Sequence, residues 1–260
     1  LDQSVFNGAR AVGPLIGGFL LGAAGPGAAY GVIAGLFGMA FLIYTTFRPV
    51  SQVVRAKSKG VIPDLVEVIK VIRERPLLRM NLMFTAVNAL VLGGMVFIIP
   101  AFAKDIFEID EKGLGVLFAG VGIGAVAGAM TMSWTGGVRR AGPALLITDL
   151  LFGIFVIFWA NTSSLIVALP FAFLLGYFNS VHVALGIAVI QFNVPAEVRG
   201  RVIGAYEIAW SGFPLGGLAS GSLAAIFGLR SALTILAVGL IIFTIIVASI
   251  SSRFRQSRIE

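Results

Sequence analysis

Four ionisable side chains lie inside long apolar stretches of this sequence: Arg10, Asp149, His182 and Glu207. A charge in such surroundings is costly, so residues of this kind are by default candidates for ion binding, gating or proton transfer. Asp149 and Glu207 each lie about six residues into their stretch, which is roughly 9 Å along a helix.

Two hypotheses compete for the two carboxyl groups. In the first they bind protons, because desolvation favours the neutral carboxyl group and so allows it to load and release a proton. Glu207, which has Trp210 at i+3, is the first candidate for that role. In the second hypothesis the carboxylates pair with basic loop residues and hold a gate closed. The arginines available for such pairing are Arg139, Arg140 and Arg201.

His182 is the only histidine, and on a helix it shares a face with Asn179 and Gly186. It is either a hydrogen-bonded packing residue or a proton relay. Arg10 either extends its charged end to the lipid headgroups or forms an ion pair within the protein.

The composition places these residues in a membrane. Hydrophobic residues make up 58% and charged residues 12% of the chain, and the mean hydropathy is +1.00, far from the makeup of a soluble domain. The net charge of +7 comes from basic residues in short loops, which argues against a nucleic-acid partner. There is no cysteine, no metalloprotease motif and no nucleophile elbow, so the sequence predicts neither an enzyme nor a metal or cofactor site.

Apolar runs long enough to cross a bilayer, about 20 residues each, predict an all-α membrane protein. Eight runs qualify, at approximately 4–21, 27–46, 80–103, 113–134, 143–160, 165–190, 202–227 and 231–251.

The one long polar interval, 47–80, sets the expected topology. It contains eight basic residues against three acidic ones, which predicts a cytoplasmic location. Leu65, Val68, Ile69 and Ile72 recur at helical spacing, so residues 63–75 are predicted to form an amphipathic helix at the membrane surface; a soluble linker helix is the alternative. Pro63 is expected to begin it.

The remaining connections alternate in charge, as expected when successive helices cross the membrane in opposite directions. Arg139 with Arg140, Arg199 with Arg201, and the arginines of the tail fall on the side of the central loop, whereas the other side carries mixed or few charges. Both ends of the chain are therefore predicted to be cytoplasmic, in a bacterial cytoplasmic membrane.

Glycines four residues apart recur in several runs and predict close helix contacts, because helices in lipid associate through small faces. The pairs include Gly13 with Gly17, Gly120 with Gly124, and Gly217 with Gly221. Further examples are Gly18 with Gly22, the series Gly27, Gly31 and Gly35, and Gly128, which follows Gly124 by four residues. A faint echo between residues 7–35 and 209–239 suggests a six-helix unit used twice.

Three motifs carry a resemblance to a known family. NGARAVGPLIGG (7–18) looks like the antiporter motif of helix 5 of the major facilitator superfamily. QFNVPAEVRGRV (191–202) is similar to the loop joining helices 10 and 11 in its branch of bacterial exporters that includes the enterobactin exporter and macrolide-efflux-like proteins. TGGVRRAG (135–142) resembles a degraded copy of the loop between helices 8 and 9, without its acidic residue. The matching positions are Gly13, Pro14, Gly17, Gly18, Pro195, Arg199, Gly200 and Arg201.

The resemblance implies that the chain corresponds to helices 5 to 12. Residues 1–47 would be the last two helices of the N-terminal half, 48–79 the central cytoplasmic loop, 80–251 the C-terminal six-helix half and 252–260 a cytoplasmic tail. Helices 1 to 4 would be the missing part of the same protein, with which Arg10 would form its ion pair, and the protein would work as a monomer.

The resemblance also implies roles for particular residues. Helices 7 and 10 of the superfamily line a central cavity, which suggests substrate contacts for Asn88, Tyr177, Asn179 and His182; hydrogen bonding between helices is the alternative. Phe84 and Phe178 would add apolar walls. The pivot and the interface between the halves would involve Gly13, Pro14, Gly17, Gly18, Gly120, Gly124 and Pro214.

The function expected from these patterns is secondary active transport: efflux of a small amphiphilic solute such as a drug or siderophore, by proton antiport and rocking of the two halves. An importer of the same fold, or a non-transporting membrane scaffold or sensor derived from a transporter, are the alternatives.

Overall fold

The computed structural model of the chain describes residues 27–28, 30–46, 60–134 and 140–250, and all regular secondary structure among them is helical. The predicted first span at 4–21 lies outside these residues, and with it Arg10, Gly13, Pro14, Gly17 and Gly18. The same applies to Arg139 and to the tail.

Nine helices follow one another in the described parts of the chain. Their bounds are α1 Tyr30–Thr46, α2 Val61–Glu74, α3 Pro76–Asp105, α4 Glu111–Trp134, α5 Ala141–Ala160, α6 Leu165–Asn193, α7 Ala196–Ala209, α8 Gly212–Phe227 and α9 Leu229–Ile250. Five of them, α3 to α6 and α9, are long and apolar enough to cross a membrane. These five overlap five of the predicted runs, and α3 begins at Pro76 rather than at residue 80.

The predicted run 202–227 is not one helix, which corrects the sequence-based prediction. It is divided into α7 and α8 at Trp210 and Ser211. The cause is Pro214, which has no N–H with which to bond the carbonyl of Trp210 four residues earlier. That carbonyl accepts from the Phe213 N–H instead, at 2.9 Å, and the Ser211 N–H bonds Ile208 O at 2.9 Å, so the chain tightens into a 3₁₀-like turn.

The amphipathic helix of the central loop is present as α2, but Pro63 does not begin it. The helix starts at Val61, after Gly60 with a φ of 114°. Arg75 is extended, with φ −114° and ψ 96°, and it alone separates α2 from Pro76 of α3. Val68 of α2 is buried against the bundle, whereas Leu65 and Ile69 of the same predicted stripe are exposed.

Two pairs of helices approach through glycine. On α4, a Cβ at Gly124 or Gly128 would overlap the carbonyl oxygen of Phe173 or Tyr177 of α6. Gly176 of α6 faces the Val121 carbonyl in the same way. Backbones in such contact exclude any larger residue, as expected for helices packed in lipid.

The second pair is α3 with α8. A Cβ at Gly93 would overlap the Phe213 carbonyl, and one at Gly216 would overlap the Leu90 carbonyl. The predicted pair Gly217 and Gly221 is not this contact, because Gly217 meets the ring of Phe97 and Gly221 faces open space among the described residues. Gly212 and Gly216, also four apart, take that place on α8.

The core of the bundle is formed by α3, α5, α6 and α9. At one end Trp159 packs between Phe102, at a ring-centroid distance of 4.9 Å, and Phe107, at 5.8 Å. Near the other end Phe84 meets Phe243 edge-on at 5.0 Å. Between these two aromatic groups lies the largest set of buried polar side chains.

Candidate functional site: a buried polar cluster

Asn81, Thr85 and Asn88 place one polar face of α3 in the interior. They are spaced four and three residues apart, which puts them on one side of a helix, and all three are fully buried. Amide and hydroxyl groups away from water need partners within the protein, and two further helices, α5 and α6, supply them.

Asp149 of α5 is the centre of this cluster. Its Oδ1 accepts a hydrogen bond of 2.7 Å from Asn88 Nδ2 and lies 3.0 Å from Nδ1 of His182 on α6. Both members of the Asp149–His182 pair have no exposed side-chain surface. Asp149 therefore has interior partners on α3 and α6 rather than the predicted ion pair with Arg140 or Arg201, and Arg139 lies outside the described residues.

The cluster continues on both sides of this pair. Asn179 donates its Nδ2 to Asn88 Oδ1 at 3.2 Å, and Thr85 Oγ1 lies 3.3 Å from His182 Nε2. Asn179, Asn88, Asp149, His182 and Thr85 thus form one chain of contacts across α3, α5 and α6. We call these five residues the polar cluster.

Asn81 and Tyr206 extend the polar region toward α7. Asn81 donates to the Gly186 carbonyl at 3.1 Å. The Tyr206 hydroxyl is buried beside Gly186, near Thr85 and Trp210, without a well-formed hydrogen bond. Gly186 leaves little room for a side chain, because a Cβ would lie 3.0 Å from the Tyr206 hydroxyl and 3.1 Å from Asn81 Oδ1, and these side chains would have to shift.

The hydrogen-bonding capacity of the cluster is not filled. Asp149 Oδ2, Asn179 Oδ1 and Asn81 Oδ1 are buried without a hydrogen-bond partner. His182 Nδ1 is close to Asp149 Oδ1 but is not aligned for a hydrogen bond with it. A buried acceptor without a donor is destabilising, which distinguishes this site from an ordinary apolar core.

The charge of the Asp149–His182 pair depends on how many protons it holds. One shared proton leaves the pair without net charge, whichever residue carries it. Adding or removing a proton would leave one charge in a place with no exposed surface, which is unfavourable.

The structure separates the four residues predicted to contact substrate. Asn88, Asn179 and His182 come together in the polar cluster, where they are buried and bond one another. Tyr177 lies apart, half-buried in a row of aromatic rings with Phe173 at 6.5 Å and Phe178 at 5.2 Å. Phe84, predicted as a cavity wall, is fully buried in the core, while Phe178 stacks on Phe155 at 5.6 Å.

Glu207 has surroundings quite unlike those of Asp149. Its side chain is exposed on the outer face of α7, whereas its neighbour Tyr206 is buried. Arg201, one of the arginines predicted to pair with it, forms an ion pair of 2.9 Å with Glu67 of α2.

The 191–202 motif spans the end of α6, a connection of two residues and the start of α7. Pro195 caps α7, and Arg199, Gly200 and Arg201 lie in its first turns. Arg199 donates from Nε and Nη2 to the Val194 carbonyl at 3.3 and 3.2 Å, which closes the short connection from α6. Gly200 has open space on its outer side.

The predicted pivot and interface residues that are described have defined surroundings. Gly124 faces α6, whereas Gly120 has room for a Cβ at 3.5 Å from Ala172. Their role between the two halves remains a prediction, as does that of Pro214. Among the described residues no group of three or more His, Cys, Asp or Glu side chains is placed to hold a metal ion.

The sequence-based predictions did not include Thr85 and Tyr206. Thr85 falls between two asparagines at helical spacing, and that spacing was the available signal. No sequence pattern pointed to Tyr206, because its contact with α3 and α6 depends on the direction that α7 takes after the connection from α6.

The comparisons with known proteins agree with this architecture. The sequence profile of the Major Facilitator Superfamily matches residues 1–212, most of the 260-residue chain. A search of curated proteins finds no match. The matched family consists of membrane transporters, and the five long apolar helices are those of a multi-pass membrane protein. The chain therefore belongs to the major facilitator superfamily of membrane transporters.

Proposed function

We propose that this transporter exports a small amphiphilic solute in exchange for protons, and that the Asp149–His182 pair is its proton-binding element. The observation that carries the proposal is an acid and a base in contact at 3.0 Å with no exposed surface, on two helices predicted to span the membrane. Ionisable residues at such positions are expensive to retain and are by default functional.

The energetics of the pair supply a coupling mechanism. Because a change in its proton number is costly while it is enclosed, loading and release occur only in conformations that admit water. Rocking of the two halves exposes an enclosed site to one side and then to the other. Proton exchange is thereby tied to the same movement that moves the solute.

Asn88 and Asn179 belong to this element rather than to a solute-binding wall. Asn88 donates to Asp149 Oδ1 and accepts from Asn179, so the amides hold the carboxylate in place. Tyr177, which is half-buried among aromatic rings, is the member of the predicted set that suits contact with an apolar solute. Export and the solute class are supported by the resemblance of residues 7–18 to the antiporter motif.

The test uses the chain together with a segment that supplies helices 1 to 4, reconstituted into vesicles with a trapped pH dye. Ethidium, a macrolide and a catecholate siderophore are offered in turn with an imposed pH gradient. Asp149→Asn retains size and an acceptor oxygen, so we expect it to abolish proton-driven accumulation while leaving downhill movement of solute in place. Glu207→Gln, which alters an exposed carboxylate, is the matched control and is expected to behave as wild type.

Each other outcome has a distinct meaning. Proton-driven accumulation that survives Asp149→Asn unchanged contradicts the assignment to this pair, and its loss in Glu207→Gln alone moves the coupling to Glu207. A wild-type protein that moves no solute supports a scaffold or sensor. Accumulation of the solute in the same direction as the proton flow identifies an importer.

A further inference from the structure

The helix α2 has two apolar stripes, and among the described residues only one of them packs against other helices. Val68 is buried, and Val71 and Ile72 are half-buried against the start of α7 and the end of α6. The second stripe points away from the bundle and is 45% to 76% exposed. Its members are Ile62, Leu65, Val66 and Ile69, at spacings of three, one and three.

The two stripes are centred roughly 110° apart around the α2 axis, since successive residues of a helix are about 100° apart, and a fixed attachment sets their directions. Glu67 forms an ion pair of 2.9 Å with Arg201 of α7, and Val68 lies in a buried cluster with Val198 and Val202. This attachment sets the rotation of α2 about its axis. The outward stripe is therefore not a packing surface for the described helices.

Basic side chains border the outward stripe. Arg73 continues it by one helical turn after Ile69, and Lys70 lies on its flank; both are exposed. Lys70 is 3.9 Å from Glu74, but both side chains are more than 60% exposed, so this ion pair holds them weakly. Arg79, also exposed, follows on the first turns of α3.

The position of α2 along the bundle places this stripe at the level of the headgroups. α3 has 30 residues, or about 45 Å of helix against roughly 30 Å of hydrocarbon. Its ends therefore extend into the headgroup regions, and the exposed charges near them, Arg79 and Lys104, are consistent with that. Since only Arg75 separates α2 from α3, α2 lies at that boundary.

We propose that the outward face of α2 binds the bilayer surface, with Ile62, Leu65, Val66 and Ile69 inserted among the acyl chains and Lys70 and Arg73 on anionic headgroups. An apolar stripe bordered by cationic residues is the composition of helices that lie in the interface. Each basic residue near an anionic surface adds attraction. Through Glu67 and Arg201 the lipid contact is joined to α7.

The test takes advantage of a chain without cysteine. An environment-sensitive fluorophore is attached to Ile69→Cys in the outward stripe and, as the matched control, to Glu74→Cys on the other side of α2. The protein is reconstituted into phosphatidylcholine vesicles with and without phosphatidylglycerol. Quenching is measured with a nitroxide on the lipid chain and with aqueous iodide.

We expect lipid-borne nitroxide to quench the Ile69→Cys label severalfold more than the Glu74→Cys label, and phosphatidylglycerol to increase the difference. The double substitution Lys70→Gln and Arg73→Gln should remove the phosphatidylglycerol dependence and leave the quenching in phosphatidylcholine. Equal iodide quenching at both labelled positions would show that neither label is inserted in the bilayer, which overturns the proposal. A label at Ile69→Cys shielded from both quenchers also overturns it and indicates that protein covers the stripe.

Discussion

Asp149 and Glu207 lie at similar depths of two apolar segments, and the fold gives them opposite surroundings. Asp149 has no exposed surface and contacts Asn88 and His182, whereas Glu207 is exposed on the outer face of α7. The difference arises from rotation about the helix axis. Depth along a helix is set by sequence, but whether a residue points inward is set by which helices pack around it.

The same contrast exists within α7 and α8. Their inner face carries Tyr206, Gly212 and Gly216 against α3 and α6, and their outer face carries Gly204 and Glu207. Substitutions at inner and outer positions only a few residues apart should therefore differ in their effect on stability, because only the inner ones contact other helices. Three pairs of variants measure this difference.

The largest effect on stability is expected for Asp149→Ala compared with Glu207→Ala. Removal of Asp149 leaves Asn88 and His182 without their partner, and loss of one member of a buried pair costs on the order of 3 kcal/mol. Glu207→Ala should change the free energy of unfolding by less than about 0.5 kcal/mol. Thermal unfolding in detergent is the measurement. Equal destabilisation by the two variants would contradict the contrast between the carboxyl groups.

The next effect is expected for Gly216→Ala compared with Gly221→Ala, two changes on α8. A Cβ at residue 216 would overlap the Leu90 carbonyl, so α3 and α8 must separate, at a cost of roughly 1–3 kcal/mol. Gly221 faces open space among the described residues, and alanine there should stabilise the helix by a few tenths to about 1 kcal/mol. Unfolding in increasing denaturing detergent separates the two. Similar midpoints would show that α3 and α8 are not in backbone contact.

The smallest effect is expected for Glu67→Gln compared with Glu74→Gln, both on α2. Glu67 pairs with Arg201 at 2.9 Å, with 38% and 25% of the side chains exposed, so the pair should contribute below about 1 kcal/mol. Raising the salt concentration should reduce this contribution further. Glu74→Gln affects only an exposed contact with Lys70 and should have no measurable effect. A loss that is large and independent of salt would show that Glu67 is more enclosed than described.

Much of the architecture could be predicted from runs of apolar residues. The segments that became α3 to α6 and α9 were located within a few residues, because a span of the bilayer needs a minimum apolar length. The division at Trp210 and Ser211 was not predicted as a break, although Pro214 was predicted to belong to the pivot. Its effect depends on whether the freed Trp210 carbonyl finds another donor, and the Phe213 N–H provides one.

The polar cluster could be predicted only as separate parts. Asn88, Asn179, His182 and Asp149 were each recognised as polar residues in apolar segments, but their mutual contacts and the share of Thr85 were not. Glycine contacts were predicted at Gly124 and Gly128, while Gly93 and Gly176, which have no glycine partner four residues away, were missed.

The sequence by itself determined that the chain crosses a membrane, approximately where it does so, and that an acid and a histidine are carried into apolar surroundings. Only the tertiary structure decided that Asp149 meets His182, that Glu207 faces outward, and that α2 turns one apolar stripe away from the bundle. The physical reason is that in lipid both the packed and the exposed faces of a helix are apolar. Apolar periodicity, which identifies the inward face of a soluble helix, therefore does not say which residues face protein, and the close contacts of glycine backbones fix that rotation instead.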